Sequence, residues 1–364
     1  MDALHHLMLR CFIAKETGKG TRANQPTATS DEENADAGAE KADTNGPADK
    51  APEAADAKHD KATAPETGTE RENGPAIEKD PEREAKMPSN VVEKGIIYFF
   101  TRGRVDVEEP QGIQDLMRTY FVLRPLPKDA KLGQGPIPES DNNRLAVLPK
   151  KVLPKSNKDR FLAFVEKGGV SVEVLKEEFF PGAEYETKKV GSRQVPPVTP
   201  IGEGVYAITA TGRTSHLAYI LTIPREIDQV QLDIGLREKG SFIVSVKNPT
   251  KKGPTYAQLP QGPEYPIEIL EEFGDLRWIP VHNSQYLNYA NAQFLLIGEG
   301  EDRFSKALEP TDKDRQEGKE TAEEELEKLE DEDQIHVEQM DGDAAVFQDL
   351  HIDRSEYPDV LTTW

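Results

Sequence analysis

Two histidines, His216 and His282, are the only imidazoles between residues 91 and 300, and imidazole is the side chain best suited to proton transfer near neutrality. His216 follows Ser215 directly. In a strand, neighbouring side chains point to opposite faces, so the Ser-His pair reads as a hydrogen-bonded structural histidine and not as a nucleophile with its base. His282 lies in Pro280-Val-His-Asn-Ser284, where a polar loop role is expected. The chain has no G-x-S-x-G elbow, no G-x-x-x-x-G-K-[ST], no H-E-x-x-H and no EF-hand loop. Thr17-Gly-Lys-Gly-Thr21 lacks the first glycine and the Ser/Thr of a phosphate loop. The single cysteine, Cys11, excludes an internal disulfide and any cysteine-rich zinc motif. No catalytic residue, metal ligand or cofactor-binding residue is therefore assigned, and no cofactor is expected.

Three clusters remain as candidates for binding. Residues 118–167 hold 11 bases against 5 acids, with Lys150, Lys151, Lys155, Lys158 and Arg160 grouped before a strand. This strip suits a phosphate or other polyanion, the chain's own acidic tail, or solvent alone; nucleic acid is the weaker partner, since no RNA-recognition pattern accompanies it. In the last stretch, Phe347, Leu350, Tyr357 and Trp364 are interspersed with Asp and Glu. That composition fits a segment that folds onto a partner protein, or one that docks back on its own domain. Arg277-Trp278 and Tyr286-Leu-Asn-Tyr289 concentrate aromatic groups that pack a final strand or line a small-ligand pocket.

The elements that must position these clusters occupy the middle of the chain. Residues 1–90 carry 19 acids and 12 bases, residues 91–300 carry 26 of each, and residues 301–364 carry 22 acids and 7 bases. An electrically balanced segment thus stands between two acidic ones. The first 90 residues are too poor in apolar side chains to offset chain entropy, so the sequence predicts a disordered region at 1–90, one folded domain at 91–300 and an acidic tail at 301–364. The tail contains a charged, solvated helix over Thr321–Asp333. Strands are predicted at Gly95–Phe100, Tyr120–Leu126, Leu145–Leu148, Arg160–Val165, Gly240–Val246 and Gln293–Ile297. Gly204–Ala210 and Leu217–Ile223 form a β-hairpin, whose second strand is apolar on both faces and therefore covered on both. Helices are expected after Ser171, between Pro224 and Gly235, and over Pro266–Phe273. The fold class is α+β, a mixed, mostly antiparallel sheet with several short packed helices.

Met1–Ala14 has helical apolar spacing, but Asp2 and sparse arginine argue against mitochondrial targeting. No run approaches the ~20 apolar residues of a spanning helix. Membrane partners are not expected, and an intracellular location, nucleus or cytoplasm, is.

The runs Gly204-Val-Tyr-Ala-Ile-Thr, Ser215 to Pro224, Gly235 to Pro249 and Gln293-Phe-Leu-Leu-Ile-Gly298 resemble a family of fungal proteins often labelled "BTB domain transcription factor". The likeness covers roughly residues 87–300 and the closing Tyr357–Trp364. It implies a transcription-linked role and supplies no site residues. The expected function is a non-enzymatic binding or regulatory protein that contacts other proteins through its C-terminal segment. The alternative is a small-ligand-binding protein or an enzyme.

Overall fold

The computed structural model describes residues 76–364 except 188–190, 254–257 and 341. The expectations placed on Met1–Ala14, on Cys11, on Thr17–Thr21 and on disorder up to residue 75 lie outside the described residues.

Eight long strands form the body: β2 (Val91–Gly103), β3 (Leu116–Leu126), β5 (Asn143–Leu148), β6 (Arg160–Val170), β9 (Val198–Ala210), β10 (Ser215–Ile223), β11 (Lys239–Lys247) and β13 (Gln293–Gly298). Their order is β10-β9-β2-β3-β5-β6-β13-β11, and β11 returns to pair with β10. Every pairing is antiparallel, so the mostly antiparallel sheet of an α+β domain closes into a barrel without a free edge. The expected hairpin is β9–β10, with Tyr206 opposite Tyr219 and Ile208 opposite Leu217. Short pairs β1 (Ile77–Lys79) with β4 (Ala130–Leu132), and β7 (Ala183–Thr187) with β8 (Gly191–Val195), lie outside the barrel, and β12 (Trp278–Pro280) extends beside β11.

The barrel interior is filled. Phe99, Phe121, Tyr219, Phe242 and Phe294 point inward among aliphatic neighbours and are almost completely buried. Their rings meet at 5.4 Å (Phe99–Tyr219), 5.9 Å (Tyr219–Phe242), 6.2 Å (Phe121–Phe294) and 6.3 Å (Phe99–Phe121). Eight strands leave an interior that side chains can fill, and here they do. Glycine is required where neighbouring strands approach too closely for a side chain: a Cβ at Gly204 would lie 2.0 Å from the Ile220 carbonyl oxygen, and one at Gly95 2.1 Å from that of Arg124.

The outer wall formed by Ile96, Tyr98, Phe100, Val122, Val205, Ala218 and Ile220 is also apolar and buried. Its cover is the acidic C-terminal segment, whose helix over residues 321–333, expected to be solvated, is instead packed. Helices α5 (Phe304–Ala307), α6 (Asp312–Gln316), α7 (Ala322–Gln339) and α8 (Ala345–Asp349) follow β13; earlier helices are α1 (Pro81–Lys86), α2 (Val172–Glu178), α3 (Gln229–Ile234) and α4 (Ile267–Phe273). Helix α7 starts at a capping box between Thr321 and Glu324. It is not fully solvated: Ala322, Leu326, Leu329, Asp333 and Val337 form a buried stripe at helical spacing. Burying each leucine contributes about 1.5–3 kcal/mol. The packed fold also begins before residue 91. Asp80 caps α1 by accepting from the Glu82 and Arg83 amides at 3.0 and 3.2 Å. Arg83, only 6% exposed, then donates to Glu325 at 2.7 Å and to Glu332 at 2.7 Å, while Lys94 of β2 donates to Glu325 at 2.7 Å and to the Ala130 carbonyl at 3.0 Å. One glutamate of α7 thus ties α1 and the barrel wall together.

Candidate functional site

A cleft of about 550 Å³ lies on one flank of the barrel. Its walls are the loop that follows β2, the β7–β8 hairpin, and a strap of residues 355–358. Each wall is fixed locally. Arg102, at the end of β2 and 7% exposed, donates to the carbonyls of Pro181 at 3.0 Å and Pro196 at 2.8 Å and also to that of Phe179, which clamps both feet of the hairpin. Asp106 adopts a left-handed backbone (φ 63°). Its carboxylate accepts from Arg193 at 2.9 Å and from the Gln194 amide at 3.0 Å, so the loop is tied to β8. In the strap, Asp353 accepts from the Ser355 amide at 2.9 Å and its hydroxyl at 2.7 Å, and these bonds hold the Asp353 carboxyl below its usual range. The Tyr357 ring rests edge-on against buried Phe180, centroids 6.2 Å apart; burial, and then Glu356, raise its phenol above the ordinary value.

The cleft's chemistry is apolar below and anionic at the rim. Val107, Val195, Pro196, Pro197, Tyr357 and Pro358 supply hydrocarbon, and Asp106, Glu108, Glu184 and Glu356 supply carboxylates, with no lysine or arginine in the lining. An adjoining depression shares Asp106, Glu108 and Glu184. The cleft can hold an extended, hydrophobic and cationic segment.

The residues singled out in the sequence fall elsewhere. Lys150, Lys158 and Arg160 are exposed, Lys151 is half-buried, and Lys155 donates to the Leu232 carbonyl at 2.8 Å beside α3. The acids of α7 reach Arg83, Lys94, Lys239 and Arg225. At the end of the chain the Trp364 indole donates to Asp233 of α3 at 2.8 Å, and the Thr362 carbonyl accepts from the Val230 amide at 3.0 Å. Phe347 and Leu350 are core residues at 2% and 0% exposure, and Tyr357 and Trp364 are half-buried. Of the two readings of this segment, folding onto a partner or docking back on its own domain, the second describes the packing seen: its apolar residues meet the apolar wall of the barrel.

His216 bonds Glu299 at 2.9 Å, while Ser215 on the opposite face donates to the Val244 carbonyl at 2.7 Å. His282 is surface-exposed and hydrogen-bonded to the Tyr286 hydroxyl at 2.6 Å, and Tyr286 also donates to Glu272. Tyr289 stacks edge-on to Tyr265 at 5.1 Å, and Tyr265 lies on Phe273 at 5.7 Å, so these aromatic groups pack the end of the barrel. Sequence reasoning missed Arg102, Asp106 and Glu184. The signal for them was Pro181-Gly182 and Pro196-Pro197 bracketing a polar run, which reads as a loop until the hairpin is seen. No helix among the described residues is long and apolar enough to cross a membrane. Comparison with protein-family models, with curated proteins and with solved structures finds no match to this chain.

Proposed function

We propose that this is a non-enzymatic binding protein whose carboxylate-rimmed cleft takes a basic, proline-compatible peptide segment of another protein. The cleft itself carries the proposal: an apolar floor in a cleft of about 550 Å³, rimmed by Glu108, Glu184 and Glu356, with Asp106 beside them already paired to Arg193. Such a rim favours lysine or arginine side chains whose hydrocarbon stems lie on the valines, prolines and tyrosine below. The filled barrel interior supports a surface site over an internal ligand cup. A net charge of −22 adds long-range attraction for a cationic partner. The resemblance to fungal proteins labelled as transcription factors is consistent with a regulatory partner in the nucleus.

The test is a titration of the full chain into a fluorescent octapeptide of alternating lysine and proline at about 50 and 300 mM salt. Binding is expected to weaken steeply with salt and to fall at least tenfold in the Glu108→Lys/Glu184→Lys variant. A Lys150→Glu/Lys158→Glu variant should bind as well as the parent. Equal binding by the charge-reversed cleft variant overturns the assignment.

A further inference from the structure

Where α7 and α8 lie on the barrel wall, seven polar side chains meet in a buried layer: Tyr98 of β2, Arg124 of β3, Glu203 of β9, Thr222 of β10, Asp333 and His336 of α7, and Asp349 of α8. None is more than 5% exposed. Arg124 donates to the Asp349 carbonyl at 2.6 Å and to the Ile137 carbonyl at 2.8 Å, and Thr222 donates to Asp333 at 2.6 Å. His336 has the Gly133 carbonyl 3.1 Å from Nδ1 and the Asp349 carboxylate 3.0 Å from Nε2. With Asp349 ionised, both acceptors are met only when both ring nitrogens carry hydrogen, which makes the imidazole cationic. The layer then holds two cations, Arg124 and His336, against three carboxylates. Both oxygens of Glu203 and Oδ1 of Asp333 make no hydrogen bond, and neither does the Tyr98 hydroxyl. Three ionised carboxylates at this depth, with three unbonded oxygens, would carry a large desolvation cost. A proton on Glu203 or Asp333 balances the charge.

We propose that this layer is a proton-controlled latch: it closes the C-terminal segment on the barrel when His336 and one of the Glu203–Asp333 pair are protonated, and loosens as they lose those protons. The strap of residues 355–358 follows directly from the latched helices, so the latch controls one wall of the cleft; this regulatory role rests on the cleft being the binding site. The groups that face one another from every packed element act in one direction. Burial, then Asp333 and Asp349, raise Glu203 well above the usual carboxylate range, against the pull of Arg124. Burial raises Asp333 to about 7, with Asp349 and Glu330 adding to it and Thr222 and His336 opposing. His336 is raised by Asp349 and Asp333 in spite of its burial. Raised values mean that the closed state holds protons the open state releases. Closure is therefore fully favoured below the ordinary values of these groups and lost as pH rises through their values in the closed layer, a window that includes pH 7.

The experiment is hydrogen exchange on the full chain between pH 6 and pH 8.5, corrected for intrinsic exchange and read over residues 322–352 against β2 and β3. Opening of the C-terminal segment should rise about tenfold per pH unit for each proton held by closure, while β2 and β3 stay protected. Asp333→Asn, which keeps the Thr222 bond, and Glu203→Gln should each flatten that dependence. Protection that does not vary with pH in the parent chain overturns the proposal even where a variant fails to fold. So does an unchanged slope in both folded variants. Lysine–proline peptide affinity, measured in parallel, separates the two assignments: a pH-dependent opening with no peptide binding at any pH refutes the cleft and leaves the latch standing, whereas peptide binding with pH-independent protection refutes the latch alone.

Discussion

Glu325→Gln tests whether the C-terminal segment is a structural layer or an appended tail. Glu325 is 1% exposed and accepts from two buried cations, Lys94 and Arg83, each at 2.7 Å. Arg83 retains Glu332 when Glu325 is neutralised, but Lys94 is left with neutral acceptors alone, the introduced amide oxygen and the Ala130 carbonyl at 3.0 Å. Burial alone already lowers the Lys94 ammonium below its usual value, with Glu325 as the chief opposing influence. Removing one partner of a buried pair costs about 3–5 kcal/mol, because the remaining charge stays desolvated. At roughly 2 °C per kcal/mol for a packed unit of this size, the melting temperature should fall by about 6–10 °C. Glu327 on the same helix pairs with Lys239 at 2.8 Å, but both are well exposed, and Glu327→Gln should cost no more than about 1 kcal/mol. Urea and thermal unfolding of the two variants, side by side, give the difference directly. The double variant Lys94→Met/Glu325→Leu should recover most of the loss, since an apolar pair of similar volume removes the stranded charge. A Glu325→Gln loss under about 1 kcal/mol, equal to that of Glu327→Gln, would refute the buried-staple account.

Phe347→Ala, at a side chain only 2% exposed, should cost about 3–5 kcal/mol in urea unfolding. Gly204→Ala places a Cβ 2.0 Å from the Ile220 carbonyl oxygen, so it should separate β9 from β10 and yield insoluble or unfolded protein on expression. Lys150→Glu/Lys158→Glu, on exposed side chains, should change stability by less than about 0.5 kcal/mol. Asp333 is raised from 3.8 to about 7 in the fold. Its contribution is complete below pH 4 and lost as pH climbs through 7, so the difference between urea midpoints at pH 5 and 8 should shrink in Asp333→Asn.

Much of the barrel wall was legible because its strands are long, dense in β-branched and aromatic residues and bounded by turn signals. The β9–β10 hairpin follows from local pattern, as do Ser171 and Gly235 as the caps of α2 and α3; Ser171 accepts from the Val174 amide and Gly235 has φ 93°. The helix expected from Pro224 begins only at Gln229, where Asp228 and Gln231 form a capping box. The connection up to Pro200 hides the β7–β8 hairpin, whose alternating residues are mostly polar because it stands outside the barrel. Closure of β11 on β10 is a long-range pairing with no local signature. The gravest misreading, the tail, has a physical cause. The buried stripe of α7 contains Asp333 and His336 where leucine would reveal it, and Glu325 lies buried beside it. A polar residue is counted as exposed until its partners, on elements more than a hundred residues away in sequence, are known.

The charge partition of the chain takes on a different meaning in the fold. Glu325 and Glu332 come from the segment of net charge −15, yet their partners, Arg83 and Lys94, come from the N-terminal helix and strand, and Arg124 of β3 donates to the backbone carbonyl of Asp349. Deleting residues 301–364 therefore does not free a basic surface for nucleic acid; it strands buried cations and uncovers an apolar wall. The same segment supplies Glu356, Tyr357 and Pro358 to the cleft, whereas Asp106 and Glu184 come from the barrel side. A peptide that bridges the two walls must bind the closed form better than the open one, and by linkage it must hold the C-terminal segment closed by an equal free energy. At a peptide concentration 100 times its Kd that amounts to about 2.7 kcal/mol. Binding and C-terminal protection are thus one equilibrium seen from two sides: saturating peptide should suppress exchange over residues 322–352 by about a hundredfold at pH 8, and a bound peptide that left exchange there unchanged would show that the strap is not part of its site.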